Sequence, residues 1–168
     1  MPTSRKPTAR ASATALPRAV AVVKSLDVLA PAFRAKIERV LEAVPYATVA
    51  ETLRTDARQR YLYGFGRQYD DGRGIVTHSE TALDTWHHYG LAADIIHQAK
   101  GWEAPMQWWQ QLGAAAKAQG LVWGGDWTFR DYPHLQWGAP MRRSPSPSAA
   151  KLLDTGGVEA VWKAVNAI

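Results

Sequence analysis

Five histidines, at positions 78, 87, 88, 97 and 134, and no cysteine bound the chemistry open to this chain of 168 residues. A transition-metal site here must rest on imidazole and carboxylate. A thiolate nucleophile, a disulfide framework and a cysteine-based zinc finger are all excluded. Four of the histidines fall within one short stretch, and there the run Thr85-Trp-His87-His88-Tyr-Gly90-Leu-Ala92-Ala-Asp94 sets a histidine seven residues before an aspartate. Two imidazoles and one carboxylate are the donor set of a catalytic zinc, which keeps a fourth position open. Gly90 permits the tight turn that returns His87 towards an ion held by Asp94, and the small Ala92 leaves room beside it. Taken alone, the pairing of His87 with Asp94 is a weak signal.

A second run, Gly124-Gly125-Asp126-Trp127 followed by Asp131-Tyr-Pro-His134, supplies the third donor in His134. Asp131, three residues earlier, is placed to point near the metal without ligating it. Because a bound metal lowers the pKa of water to about 7, a carboxylate suffices as the base at neutral pH. Pro133 stiffens the pair. Asp126 competes for the role of base, although its place after two glycines suits a turn or a supporting bond. His88 competes with its neighbour His87. His78 and His97 have no carboxylate or histidine at a familiar spacing and read as ordinary hydrogen-bonded residues. The same donors also make the facial triad of a non-haem Fe(II) oxygenase. Those enzymes set the first histidine and the acid one residue apart on a many-stranded jelly roll, unlike the longer gap and sparse strand signals here. A binding module with a structural zinc is the other alternative, and the presence of both Asp131 and Arg54 argues against it.

These side chains need elements to position them. Phe33, Ile37, Val40, Leu41 and Val44 recur at spacings of three and four, which predicts an amphipathic helix over 30–44, with Pro31 in its first turn. Tyr46-Ala-Thr-Val-Ala-Glu51 reads as a strand. Residues 56–64 read as a second helix, closed by Gly64 or Gly66, and 70–74 as a turn-rich loop. A buried strand is expected over 91–96, a helix with paired Trp108 and Trp109 over 105–119, and short strands over 120–123 and 134–137. Residues 142–148 (Arg-Arg-Ser-Pro-Ser-Pro-Ser) read as a linker and 158–168 as a final helix. Helices at both ends with short strands between them predict an α+β domain, and no internal repeat is present. The eight tryptophans read as core or cleft wall rather than a sugar-stacking platform, with Trp86 and Trp127 flanking the ligands.

The pattern Thr85-x-His87-x-x-Gly90-x-Ala92-x-Asp94 resembles the Ser-x-His-x-x-Gly-x-Ala-x-Asp signature of the zinc D,D-peptidase and L-alanyl-D-glutamate peptidase superfamily, sometimes named for VanY. Asp131-x-x-His134 matches the second half of that signature. Arg54-x-x-x-x-Gln59-x-x-Leu62-Tyr63-x-x-Gly66-Arg67 is similar to its arginine-containing opening motif. The three parts occur in the family's order across residues 49–137. The resemblance implies a small antiparallel sheet flanked by helices, in a single zinc-peptidase domain of the D,D-peptidase/hedgehog type. It also implies one Zn2+ held by His87, Asp94 and His134, with Asp131 as general base. Arg54 would stabilise an oxyanion or hold a substrate carboxylate, and Gln59 and Thr85 would contact substrate. Two departures stand out. Thr85 replaces the usual serine but keeps the hydroxyl. Aspartate stands at 131, where the carboxypeptidase and dipeptidase branches carry glutamate, and in this the chain resembles the endopeptidase branch found among phage endolysins. The expected substrate is the peptide stem of bacterial peptidoglycan, cut at L-alanyl-D-glutamate, with D-alanyl-D-alanine carboxypeptidase activity as the alternative.

The net charge of +5 is uneven: Arg5, Lys6, Arg10, Arg18 and Lys24 precede the first acid, Asp27, and carry the whole excess. Residues 1–26 therefore read as a solvated basic segment, with loose attraction to a polyanion as the functional alternative. A peptidase domain over 27–140 and the linker and helix over 141–168 complete the expected organisation. Arg18 and Lys24 interrupt the apolar run of 15–29, so no export signal is read there, and nothing is apolar enough to span a membrane. The expectation is a monomer without nucleic-acid or membrane partners, made in the cytoplasm and acting on the wall after release by a holin-like partner.

Overall fold

The computed structural model describes residues 16–138 and 143–168. The first fifteen positions of the basic segment 1–26, and the start of the linker expected at 142, lie outside the described residues.

Pro31 opens α1 (Pro31–Ala43), whose buried residues Phe33, Ile37 and Val40 follow the helical period. The chain turns at Tyr46 into β1 (Ala47–Glu51) and then into α2 (Asp56–Tyr63), where the Thr55 hydroxyl caps the helix by accepting from Arg58 N at 3.2 Å. After a long irregular stretch come β2 (Ala92–His97), α3 (Met106–Ala118), β3 (Val122–Trp123) and β4 (His134–Gln136). The four strands form one antiparallel sheet in the order β1-β2-β4-β3. A small antiparallel sheet flanked by helices is the α+β architecture expected from the sequence.

Register decides which side chains meet. Asp94 pairs with His134, and Ala92 with Gln136, so these residues share one face of the sheet. Ala93 pairs with Leu135, and Leu135 with Trp123, on the opposite face, where they join Phe33, Ile37, Trp108, Leu112 and Ile95 in the core. Trp108 Nε1 donates to Pro45 O at 2.8 Å, tying α3 to the loop before β1. A bulge interrupts β1 between Val49, opposite Ile95, and Glu51, opposite Asp94. Strict alternation would leave Glu51 on the face of Val49. The extra residue moves it to the face of Asp94 instead.

One expectation for the C-terminal part is corrected. The helix expected from 158 follows a break at Gly157 (φ 70°, ψ −179°), but a further helical part precedes it, so that α4 spans Pro147–Ala164 in two parts. The Ser-Pro pair that suggested a linker is the start of this helix, Ser146 preceding it and Pro147 occupying its first turn. No helix among the described residues is long and apolar enough to cross a membrane.

Candidate metal centre

His87 lies on a short 3-10 turn, Trp86–Tyr89, closed by Gly90 in the left-handed conformation (φ 65°, ψ 27°). A Cβ at Gly90 would meet Val28 O at 2.5 Å, so glycine answers to both a positive φ and a close approach. The turn delivers His87 to the sheet face that carries Asp94 and His134. All three residues are buried, and one ligand atom from each lies within 4.8 Å of the others. Asp94 Oδ1 is 3.3 Å from His87 Nε2 and 3.4 Å from His134 Nδ1.

The outer bonds of these residues fix which atoms face inward. His87 Nδ1 donates to the Thr52 carbonyl at 2.7 Å, which leaves Nε2 as a lone pair. His134 Nε2 donates to Gln136 Oε1 at 3.0 Å, which leaves Nδ1. Asp94 Oδ2 accepts from Arg54 Nη2 at 3.1 Å, which leaves Oδ1. His87 Nε2 and Asp94 Oδ1 are buried with no hydrogen-bond partner. Three lone pairs thus converge in a buried space, where a cation bound between them would satisfy all three. The donor set of two nitrogens and one oxygen fits zinc with an open position.

The electrostatics point the same way. Burial works to raise the Asp94 carboxyl, but the neighbouring imidazoles of His87 and His134 and the Arg54 guanidinium outweigh it and hold it well below the usual carboxylate range. Burial works to lower His134, yet the neighbouring carboxylates of Asp94 and Asp131 raise it above the ordinary imidazole value. The carboxylates of Asp94 and Asp131 thus favour a positive charge at this centre.

A cavity of about 480 Å³ opens over the centre, lined by His87, His134, Asp131, Arg54, Thr85 and Trp86, with Val76 to Ser79, Trp127, Phe129 and Arg143 around its walls. Asp131 is held through its backbone: its N–H donates to Gly124 O at 3.0 Å and its carbonyl accepts from His134 N at 3.2 Å. A Cβ at Gly124 would meet Asp131 O at 2.4 Å, so the glycine gives this segment its room. Burial, then the charge of Asp94, raise the Asp131 carboxyl against the opposing pull of His134, His87 and Arg54. Asp126, its competitor in the sequence, pairs with Lys117 Nζ at 3.0 Å on the surface and does not line the cavity.

Arg54 lines the cavity but is heavily engaged. Its Nε and Nη2 donate to Glu51 Oε2 at 3.0 and 2.7 Å, Nη2 also reaches Asp94, and Nη1 stands 3.5 Å from Gln59 Oε1. Glu51 Oε1 accepts from Arg58 Nε at 2.8 Å. Gln59 is buried behind the cavity rather than lining it; its Nε2 donates to Ser79 O and to Thr77 Oγ1, pinning the wall formed by those residues. Thr85 lines the cavity, and its hydroxyl accepts from His87 N at 3.4 Å at the start of the turn. His88 turns away, its Nδ1 3.0 Å from Arg54 O. His97 lies at the far end of β2, stacked on Tyr46 and bonded to Ala99 N, whereas His78 belongs to the cavity wall against Phe129.

Sequence reasoning missed Thr52, Glu51 and Gln136 as the groups that orient the ligands. Only Gln136 carried a signal, since strand alternation puts it on the face of His134 two residues away.

The family model described as D-alanyl-D-alanine carboxypeptidase matches residues 78–137, a range that holds all three ligand candidates and Asp131. The peptidoglycan L-alanyl-D-glutamate endopeptidase CwlK of Bacillus subtilis (strain 168) is 34% identical over 100 residues, covering 52% of this chain and 58% of that protein. The chain thus spans less than two thirds of the length of this relative.

Proposed function

We propose that this chain belongs to the VanY-like peptidase superfamily and that it is a zinc-dependent hydrolase of the peptide stems of bacterial peptidoglycan. The observation that carries the proposal is the convergence of His87 Nε2, Asp94 Oδ1 and His134 Nδ1 beside a cavity that also holds an aspartate and an arginine.

His87, Asp94 and His134 would hold the ion, each fixed by its outer partner: the Thr52 carbonyl, Arg54 and Gln136. A zinc ion held there would supply Lewis acidity towards the scissile carbonyl and the attacking water. Asp131 takes the proton from the attacking water and returns it to the leaving amine. Arg54 keeps Asp94 in one orientation and adds positive charge where the substrate oxygen becomes negative. Thr85, through its bond to His87 N, holds the start of the ligand-bearing turn.

Two features favour the L-alanyl-D-glutamate bond: aspartate at 131, as in the endopeptidase branch, and the likeness to an endopeptidase of that specificity. Digestion of purified peptidoglycan with and without chelator, followed by mass spectrometry of the new peptide ends, tests the reading. The expected product is a chelator-sensitive free amine on D-glutamate. Released D-alanine would move the assignment to a carboxypeptidase, as the matching family description has it. Absence of any new end from protein holding zinc would refute the hydrolase.

A further inference from the structure

The cavity contains a second arginine, and unlike Arg54 it has no acidic partner among the described residues. Arg143 and Trp127 both line the cavity, and the Arg143 guanidinium carbon lies 4.3 Å from the centre of the Trp127 ring. Trp127 in turn packs against the His134 imidazole, ring centres 5.1 Å apart. An ordered series therefore runs outward from the metal centre: imidazole, indole, guanidinium. Among the described residues Arg143 forms no ion pair, whereas Arg54 shares its donors between Glu51 and Asp94. The two acids that line the cavity are Asp84, which accepts from Thr81 Oγ1 at 3.0 Å, and Asp131. Neither is paired with Arg143.

A guanidinium laid on an indole gives up rotamer freedom but keeps its N–H edge open, so its fork is preorganised for a planar anion. Building on the hydrolase reading, we propose that Arg143, seated on Trp127, is a specificity-determining residue that pairs with a free carboxylate of the substrate next to the scissile bond. The anionic part of the substrate then lies one aromatic ring away from His134. The carboxylate-holding role expected of Arg54 falls to Arg143, because Arg54 is already engaged with two acids. A stem peptide offers such a carboxylate on its glutamate, and amidation of that group would remove the partner.

The test uses two synthetic stem peptides that differ only in carrying a carboxylate or a carboxamide at the residue following the scissile bond. Wild type is expected to prefer the carboxylate by about ten- to a hundred-fold in kcat/KM, the range of a charge-assisted pair. In Arg143→Ala that ratio falls towards one, chiefly through KM. In Arg143→Lys, which keeps charge without the fork, it is intermediate. Zinc content and melting temperature, unchanged in both variants, exclude a folding defect. An undiminished ratio in Arg143→Ala would overturn the proposal. If zinc-loaded wild type cuts neither peptide, the hydrolase reading fails, and calorimetric titration with the same peptides decides the subsite. Binding of the carboxylate form that is lost in Arg143→Ala sustains it, and equal binding of both forms overturns it.

Discussion

At the scale of single residues the site is a problem of charge. Three lone pairs face one another, and a second acidic group, Asp131, has its carboxyl raised by burial and by the nearby charge of Asp94. In the metal-free protein the folded-state pKa of Asp131 lies above that of the unfolded chain. Folding is then favoured while the carboxyl keeps its proton, and stability falls as pH rises through the raised pKa. Asp131→Asn removes this cost. With chelator present, the variant should melt above wild type at pH 7, and the gap should close as pH drops below the ordinary aspartate range. Thermal unfolding across that range checks the sign, and a variant that melts below wild type at pH 7 would contradict it.

At the scale of elements, one turn and one bulge assemble the centre. The turn Trp86–Tyr89 is closed by Gly90, where alanine would combine a positive φ with a Cβ set against Val28 O. Gly90→Ala is expected to cost at least about 2 kcal/mol of stability, from left-handed strain and the backbone clash, and to weaken zinc binding by displacing His87. Denaturant titration and a zinc competition assay measure the two effects; an unchanged zinc affinity would show that the turn does not position the ligand. The bulge in β1 turns Glu51 towards Arg54 and Arg58. These two devices mark the limit of what the sequence revealed. The convergence of His87, Asp94 and His134 was legible because a metal site demands particular side chains at particular spacings. Thr52 was not, since it acts through a backbone carbonyl that any residue could supply. Glu51 was not, since the bulge reverses the face that alternation assigns it. The helices α1, α2 and α3 were legible from period and caps, whereas the start of α4 was hidden behind a Ser-Pro run that reads equally as a linker.

At the scale of the whole molecule, the C-terminal helix supports the ligand-bearing turn. Trp162 Nε1 donates to Tyr89 O at 2.7 Å, and Trp137 Nε1 to Val165 O at 2.8 Å. Ala32 N donates to Ala167 O at 3.1 Å, and Val161 and Ala167 are buried in the common core. Trp162→Phe keeps most of the packing but leaves the Tyr89 carbonyl without its donor, and should cost about 1–3 kcal/mol. Chemical denaturation reads that loss. If α4 were a separate attachment, the main transition would not move. The extended segment before α1 contributes as well, since Thr52 N and Oγ1 donate to Val23 O and so steady the residue whose carbonyl orients His87.

The central claim is that three residues hold the metal and a fourth, close by, moves the proton. It is tested most directly by measuring zinc content and peptidoglycan hydrolysis on the same preparations of wild type, His134→Ala and Asp131→Asn. The account predicts about one zinc per chain in wild type and Asp131→Asn and none in His134→Ala. Turnover should be lost in His134→Ala and lowered about 10²- to 10⁴-fold in Asp131→Asn. Zinc loss as complete in Asp131→Asn as in His134→Ala would make Asp131 a ligand, and hydrolysis at the wild-type rate by protein stripped of zinc would contradict the account altogether.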